Sequence, residues 1–145
     1  LQGENLSIIG TRIKTQSGAK NEQYKWLKEQ LSGIKRYICL GDFNCVFDVL
    51  RQIFGGETTV YGPRILNNYH SYVFENGRCQ GLDWALIKGA NEVYNGYPDS
   101  GVSPVATYDW SFVNQKNGYG NKTKGDYLNI RGLPDHAILK GMIEL

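Results

Sequence analysis

The residues best suited to chemistry are acids that stand beside short apolar runs. The first segment is Gly41-Asp42-Phe43-Asn44, which directly follows the apolar run YICL. Asp42 offers a negative charge, and Asn44, two residues on, can place a neutral amide on the same side of an extended chain. Asp and Asn after a strand are also ordinary turn formers, so a turn explains this segment better when it is taken alone.

Two later segments contain the other acids of interest and one of the two histidines. Asp83 lies one residue into the apolar run LDWALI, where an acid is unfavourable unless it has a partner. Asp135 and His136 are adjacent, immediately before the apolar run AIL. An acid from a distant strand can fix the tautomer of a histidine and raise its pKa, as in nucleophile–base–orienter triads. We therefore predict a hydrogen bond between Asp83 and His136.

The elements that position these residues alternate between short strands and helices. Leu6 to Ile9 is expected to be a strand ended by Gly10, and residues 21–32 a helix with apolar residues at i, i+3 and i+7. Tyr37 to Leu40 follows as a strand, which makes the order β-α-β.

The remainder of the chain predicts one more helix and several short strands. After Asn44, apolar residues again follow helical spacing until Gly55. Strands are expected at Ser71 to Phe74 and at Leu82 to Ile87, paired as a hairpin through the turn Asn76-Gly77. Two further strands are expected at 108–113 and 137–143, and loops at 55–70 and 114–132. The fold class is therefore mixed α/β (α+β), and we expect Asp42, Asn44, Asp135 and His136 to converge on one end of the sheets.

Composition supports one globular domain over residues 1–145. Hydrophobic residues make up 41% and charged residues 21% of the 145 residues, which excludes a disordered chain. No apolar run approaches the roughly 20 residues of a membrane span. The chain begins with Leu1, and we interpret it as a piece of something longer. Three cysteines without a CxxC pair and the lack of a visible leader favour a reducing, cytoplasmic location.

Charge is distributed unevenly along the chain. Residues 1–36 carry seven basic and three acidic residues, residues 42–110 carry four and eight, and residues 114–132 carry four and one. An acidic middle between two basic stretches suits a cation held beside a polyanion, although solvated surface charge explains it as well. The lysine-rich stretch 116–124 has the same two interpretations. Four tyrosines that could stack on bases are interpreted as sheet and core residues: Tyr61, Tyr69, Tyr72 and Tyr119.

The three acidic segments, in this order, resemble the endonuclease/exonuclease/phosphatase superfamily, which includes the DNase I-like nucleases. GDFN at 41–44 resembles its most recognisable signature, and Leu82-Asp83-Trp84 and Pro134-Asp135-His136 resemble its two later ones. The resemblance covers residues 6–145 and implies a two-sheet β-sandwich flanked by helices. The chain resembles the C-terminal part of that domain and lacks its N-terminal part.

The resemblance also implies a role for each residue. Asp42 corresponds to the acid that acts on the attacking water or supports the metal, and Asn44 to the amide that holds the nucleophile or the phosphate. Asp83 corresponds to the residue that orients the histidine, Asp135 to a metal ligand, and His136 to the group that contacts the phosphate. The implied catalytic residues are thus Asp42, Asn44, Asp83 and His136, and the implied metal ligands are Asp135 and Asp42.

Two departures from the family pattern are visible. Arg12 stands where the family has a His or Tyr near the phosphate, and arginine can neutralise a phosphate but cannot act as a general acid. The Asn and the metal-binding Glu that the family carries in its first half have no counterpart here. The N-terminal half of the domain is therefore an expected partner, either removed from this chain or supplied by another one.

The resulting expectation is a phosphoesterase or nuclease that depends on Mg²⁺ or Mn²⁺, inactive or weakly active as this fragment. The metals follow from the hard oxygen ligands that carboxylates and amides provide. The substrate is expected to be a phosphate ester, with DNA and RNA among the candidates. Two alternatives remain open: a small-molecule or lipid phosphatase, and a non-catalytic binding or structural fragment that keeps the fold.

Overall fold

The structure is a computed structural model, and it describes residues 5–15, 19–63, 70–92, 106–113 and 124–145. The lysine-rich stretch up to residue 123, Tyr69 and Tyr119 lie outside these residues. The described part mixes strands and a few helices, which confirms the mixed α/β class at this coarse level. Among the described residues, none of the helices has the length and apolar character needed to cross a lipid bilayer.

A four-stranded sheet forms the centre of the fold. Its strands are β1 (Ser7–Arg12), β2 (Tyr37–Asp42), β3 (Thr59–Tyr61) and β6 (Asp83–Lys88), in the order β1-β2-β6-β3. β1 and β2 are parallel, while β6 runs antiparallel to both of its neighbours. Helix α1 (Lys20–Ser32) connects β1 to β2, which confirms the predicted β-α-β unit.

Helices cover one face of this sheet. The buried side chains Tyr24, Leu27 and Leu31 of α1 follow the predicted i, i+3, i+7 spacing. Helix α2 (Phe47–Phe54) adds two more buried residues, and Phe43 lies completely buried beneath both helices. The predicted helices after β1 and after Asn44 are therefore confirmed.

Short strands and a third helix complete the fold. β8 (Ala106–Asp109) pairs with β9 (Ile138–Gly141), and β7 (Asn91–Glu92) pairs with β10 (Ile143–Glu144). β4 (Tyr72–Val73) pairs with β5 (Cys79–Gln80), and α3 spans Gly125–Ile130. Strand alternation turns Ala85 and Ile87 of β6 to the sheet face opposite α1 and α2, where Ala106 of β8 and Ile143 of β10 pack against them. Tyr108 of β8 and Leu139 of β9 instead pack in the cluster that contains the buried side chains of α1 and α2. A second apolar cluster, separate from the core beneath the helices, consists of the buried residues Tyr61, Ala85, Ile87 and Ala106, and Ile143 packs against it.

Two strand predictions are wrong in their partners or limits. The Asn76-Gly77 turn joins β4 to β5, not to β6. β6 is buried on both faces between β2 and β3, and an apolar run of that kind belongs in the middle of a sheet. β1 continues through Gly10 to Arg12 because a glycine with open space around it does not interrupt a strand that pairs along its length.

Four predicted loop or strand boundaries also differ. Residues 55–70 contain β3, a strand too short for its alternation to be visible, and residues 114–132 contain α3. The strand predicted over 108–113 ends at Asp109, where the Asp109 carboxylate accepts a hydrogen bond from the Ser111 N–H and starts a turn. The predicted last strand is divided at Met142 into β9 and β10.

Candidate active site

Three charged residues form one row across the central sheet. Arg12 of β1 is in register with Asp42 of β2, and Asp42 is in register with Asp83 of β6. Residues directly opposite on neighbouring strands share a face, and two opposed carboxylates repel each other. The row is therefore stable only if a positive group or a hydrogen-bond donor lies between the acids.

His136 supplies that group. Its Nδ1 lies 2.7 Å from Oδ2 of Asp83, which confirms the predicted hydrogen bond. Because a carboxylate only accepts, Nδ1 carries the proton and Nε2 is left for other contacts. Nε2 lies 3.6 Å from Oδ2 of Asp42, a charge contact rather than a hydrogen bond. One imidazole thus bridges the two acids of the row.

Hydrogen bonds to its backbone hold Asp83 in place. The Oγ of Ser71, which is completely buried, accepts hydrogen bonds from the N–H groups of Leu82 at 2.8 Å and Asp83 at 3.2 Å. The Tyr108 hydroxyl donates to the Asp83 carbonyl at 2.6 Å. The Ser71 carbonyl in turn accepts the N–H of Ala137, the residue after His136. Ser71 therefore holds together the two segments that carry the acid–histidine pair.

Asp42 is oriented by its own loop. Gly41 has φ +146°, and Asn44 lies in the left-handed region with φ +50°, a conformation that asparagine tolerates better than most residues. Asp42 accepts hydrogen bonds from the Asn44 N–H at 2.9 Å and from Asn44 Nδ2 at 3.2 Å. Asn44 Nδ2 also donates to the Ile13 carbonyl. Asn44 therefore supports Asp42, and its contact with a nucleophile or a phosphate stays a prediction.

The predicted residues meet in one cleft of about 580 Å³. Arg12, Asp42, Asn44, Asp135 and His136 all line it, which confirms the predicted convergence of the last four. Asp83 lies behind His136 and is not part of the lining. Five further residues line the cleft: Lys14, Thr15, Tyr72, Phe74 and Leu82.

The basic side of the cleft is held in place by helix α1. The Lys14 N–H donates to Gln23 Oε1 at 2.8 Å, and Gln23 Nε2 donates back to the Lys14 carbonyl at 3.1 Å. The Arg12 side chain is 76% exposed, and its Nε lies 4.0 Å from Asp42 Oδ2. Arg12 is thus free to contact an anion in the cleft while its charge still acts on Asp42.

The acids change the protonation of His136. Burial lowers the pKa of His136, but the hydrogen bond and charge of Asp83, with the charges of Asp42 and Asp135, outweigh burial and raise it above its usual value. His136 is therefore cationic over a wider pH range than an ordinary histidine. A cationic histidine suits contact with a phosphate.

The pKa of Asp42 is also raised, but for a carboxyl group this favours the neutral form, whereas for His136 it favours the charged form. Burial raises the pKa of Asp42 above its usual range, and the charge of Asp83 adds to this. His136, the Asn44 N–H and Arg12 act against the rise. A carboxylate with a raised pKa is a stronger base than an exposed one, as a general base requires.

Two arrangements could hold a metal ion. Asp42, Asp83 and His136 each present a ligand atom within 4.8 Å of the others. In the present geometry the Nδ1–H of His136 is hydrogen-bonded to Asp83, so a metal bound by all three residues would have to replace that proton. Asp42 and Asp135, both in the cleft lining, leave that pair intact and offer only hard oxygen ligands.

Sequence reasoning missed two residues of this site. Ser71 gave no signal, because a buried serine that accepts two backbone N–H groups follows no pattern in the sequence. Tyr72 was expected to be a sheet or core aromatic, but it lines the cleft and its ring centroid lies 4.9 Å from that of His136. Tyr61, by contrast, is buried in the core as expected.

Comparisons of the chain with protein-family models, with curated proteins and with solved structures find no match.

Proposed function

We propose that this chain is the C-terminal part of an endonuclease/exonuclease/phosphatase domain and that its cleft hydrolyses phosphate esters with the help of Mg²⁺ or Mn²⁺. The observation that carries the proposal is the bridge that His136 makes between Asp83 and Asp42, beside Arg12, in one open cleft. The motif order that resembles the family supplies the reaction type.

In this proposal the cations of the cleft bind the phosphate. Arg12 and His136 neutralise its oxygens, and Lys14 at the rim adds a third positive charge. Asp83 keeps the imidazole charged and correctly turned while the phosphate gains negative charge. Arg12 stays charged throughout and serves binding only, because its pKa is too high for proton transfer.

Asp42 is the residue that accepts a proton from the attacking water. Burial raises its pKa towards the working range, and the two hydrogen bonds from Asn44 hold its oxygens in a fixed direction. Asp135, with Asp42 nearby, would hold the metal, which when bound polarises a phosphoryl oxygen. Two carboxylates are few for Mg²⁺, which keeps its waters and needs well-placed anionic ligands. We therefore expect this chain alone to bind the metal weakly.

The N-terminal half of the domain is the proposed partner. β1 ends the central sheet among the described strands, and Ile8 of β1 is 71% exposed. Leu40 of β2 lies on the same face and is 41% exposed. Among the described residues, these exposed apolar side chains lie beside an unpaired strand edge, which favours coverage by further chain.

The two alternatives predict different behaviour. A small-molecule or lipid phosphatase needs few phosphate contacts, so its substrate affinity changes little with salt, whereas a nuclease loses affinity steeply. A non-catalytic fragment keeps the cleft but hydrolyses nothing, even when the N-terminal half is present.

Hydrolysis of plasmid DNA and of a chromogenic phosphodiester, with Mg²⁺ or with EDTA, tests the proposal. The chain should be assayed alone and together with the proposed N-terminal half, taken from the same gene or from a separate chain. We expect turnover that EDTA stops in the second case, lowered about 10²- to 10³-fold by His136→Gln, because that substitution removes a positive charge that stabilises the phosphate oxygens. His70→Gln is the matched control, because His70 is the other histidine and does not line the cleft. Turnover that survives both EDTA and His136→Gln, or no turnover with both halves present, would contradict it.

A further inference from the structure

Tyr72 stands in the wall of the cleft directly beside the imidazole of His136. Its ring centroid lies 4.9 Å from that of His136, with 43° between the two planes. We propose that Tyr72 is a positioning residue, which holds His136 against Asp83, and that helix α3 anchors Tyr72 in this place. The consequence for catalysis rests on the proposed function, whereas the positioning itself does not.

His136 needs such support because hydrogen bonding alone does not fix its ring. The described structure gives the imidazole one hydrogen bond, from Nδ1 to Asp83, and a longer charge contact from Nε2 to Asp42 at 3.6 Å. The imidazole is otherwise attached only through its Cβ, so it can rotate away from Asp83 whenever that hydrogen bond opens. The ring of Tyr72 lies within the range of favourable aromatic pairs and blocks the swing on its side.

Helix α3 in turn holds Tyr72. The Tyr72 hydroxyl donates to Oδ1 of Asp126 at 3.1 Å. Gly125 is buried against the ring, and a Cβ at that position would lie only 2.2 Å from a ring carbon. Phe74 also packs against Tyr72, because their ring centroids lie 5.0 Å apart with 78° between the two planes. The hydroxyl of Tyr72 is thus held by Asp126, and its ring is packed against Gly125 and Phe74.

Tyr72 also remains a hydrogen-bond donor over the whole physiological range. Burial, followed by the hydrogen bond to Asp126, raises the pKa of Tyr72 to about 12. The Tyr72 hydroxyl therefore keeps its proton and can donate to Asp126 at neutral pH.

Proton exchange at the Nδ1 of His136, followed by NMR on protein labelled with ¹⁵N in histidine, measures the positioning without any substrate. The chain has two histidines, so His136→Gln assigns the signals. We expect Tyr72→Leu to speed exchange of the Nδ1 proton about tenfold, the upper end of what an aromatic pair contributes. Tyr72→Phe and Asp126→Ala should give smaller increases in the same direction. Tyr127→Leu, which removes a ring of α3 outside the cleft lining, should leave exchange unchanged.

Exchange that is the same in wild type and in Tyr72→Leu would overturn the proposal. If Tyr72→Leu does not fold, Tyr72→Phe and Asp126→Ala decide it, and unchanged exchange in both overturns it. The hydrolysis assay then separates the two proposals. Faster Nδ1 exchange, with no hydrolysis even when the N-terminal half is present, supports the positioning role and contradicts the proposed function. Unchanged exchange in every variant, with hydrolysis when both halves are present, does the reverse.

Discussion

Gly41, immediately before Asp42, is a position where a single methyl group should damage both the sheet and the cleft. Gly41 has φ +146° and lies in register with Thr11 of the parallel neighbour β1. A Cβ at this position would lie 2.0 Å from the Thr11 carbonyl oxygen, which belongs to the backbone and cannot rotate away. Gly41→Ala therefore combines backbone strain with a forced separation of two strands.

The size of the effect follows from these two costs. A residue held in a conformation reserved for glycine costs about 1–3 kcal/mol. A carbon meets a carbonyl oxygen at about 3.3 Å, so β1 and β2 must move apart by about 1.3 Å, which breaks about two ladder hydrogen bonds at roughly 1 kcal/mol each. Together these terms lower the free energy of unfolding by about 3–5 kcal/mol. Asp42, the next residue, should move away from His136 at the same time.

Equilibrium unfolding in urea, followed by the fluorescence of the three tryptophans, measures this loss. Gly10→Ala is the matched control in β1, because a Cβ there meets nothing within 4 Å. We expect Gly10→Ala to raise the free energy of unfolding by about 0.5–1 kcal/mol, since alanine is less flexible than glycine when unfolded. A loss below about 1 kcal/mol for Gly41→Ala, or equal losses in both variants, would refute the reasoning.

Two further predictions concern the support of the acid–histidine pair. Ser71→Ala leaves the N–H groups of Leu82 and Asp83 without their acceptor and should lower the free energy of unfolding by about 2–3 kcal/mol in urea titrations. The exposed Ser32→Ala should change it by less than about 0.5 kcal/mol, and equal losses would contradict the assignment. Asp83→Asn should lower the pKa of His136 in an NMR titration, because burial remains while the negative charge that raises this pKa is lost and the neutral amide oxygen is a weaker acceptor. The stability lost in Asp83→Asn should be largest below about pH 6.5, the unfolded value, and should fade as pH rises through the raised folded pKa. A loss that grows with pH would contradict this.

The acid–histidine pair could be predicted from the sequence because a buried carboxylate is unfavourable without a hydrogen-bonding or charged partner. Asp83 stands in a run that is apolar on both sides, so a partner was required, and His136 lies beside another acid at the start of a strand. The helix α1 was equally visible, since its buried residues repeat with the helical period. In each case a local pattern expressed the tertiary requirement directly.

The supporting contacts could not be predicted, because they depend on which strands become neighbours. Ser71 acts through its hydroxyl on the backbone of a segment eleven positions away, and any buried serine would look the same in the sequence. Tyr72 belongs to a strand of two residues, too short for alternation to tell the cleft from the core. The same shortness hid β3, whose pairing with β6 is visible only once the sheet is assembled.

Titration of this chain with dimethyl phosphate in the presence of Mg²⁺, followed through the ring signals of its two histidines by NMR, tests the central claim most directly. The claim is that the cleft between Arg12 and His136 binds phosphate esters. We predict a saturable shift of the His136 signals, weakened by Arg12→Gln, while the signals of His70, which does not line the cleft, stay in place. Unchanged His136 signals, or equal shifts at both histidines, would contradict the account.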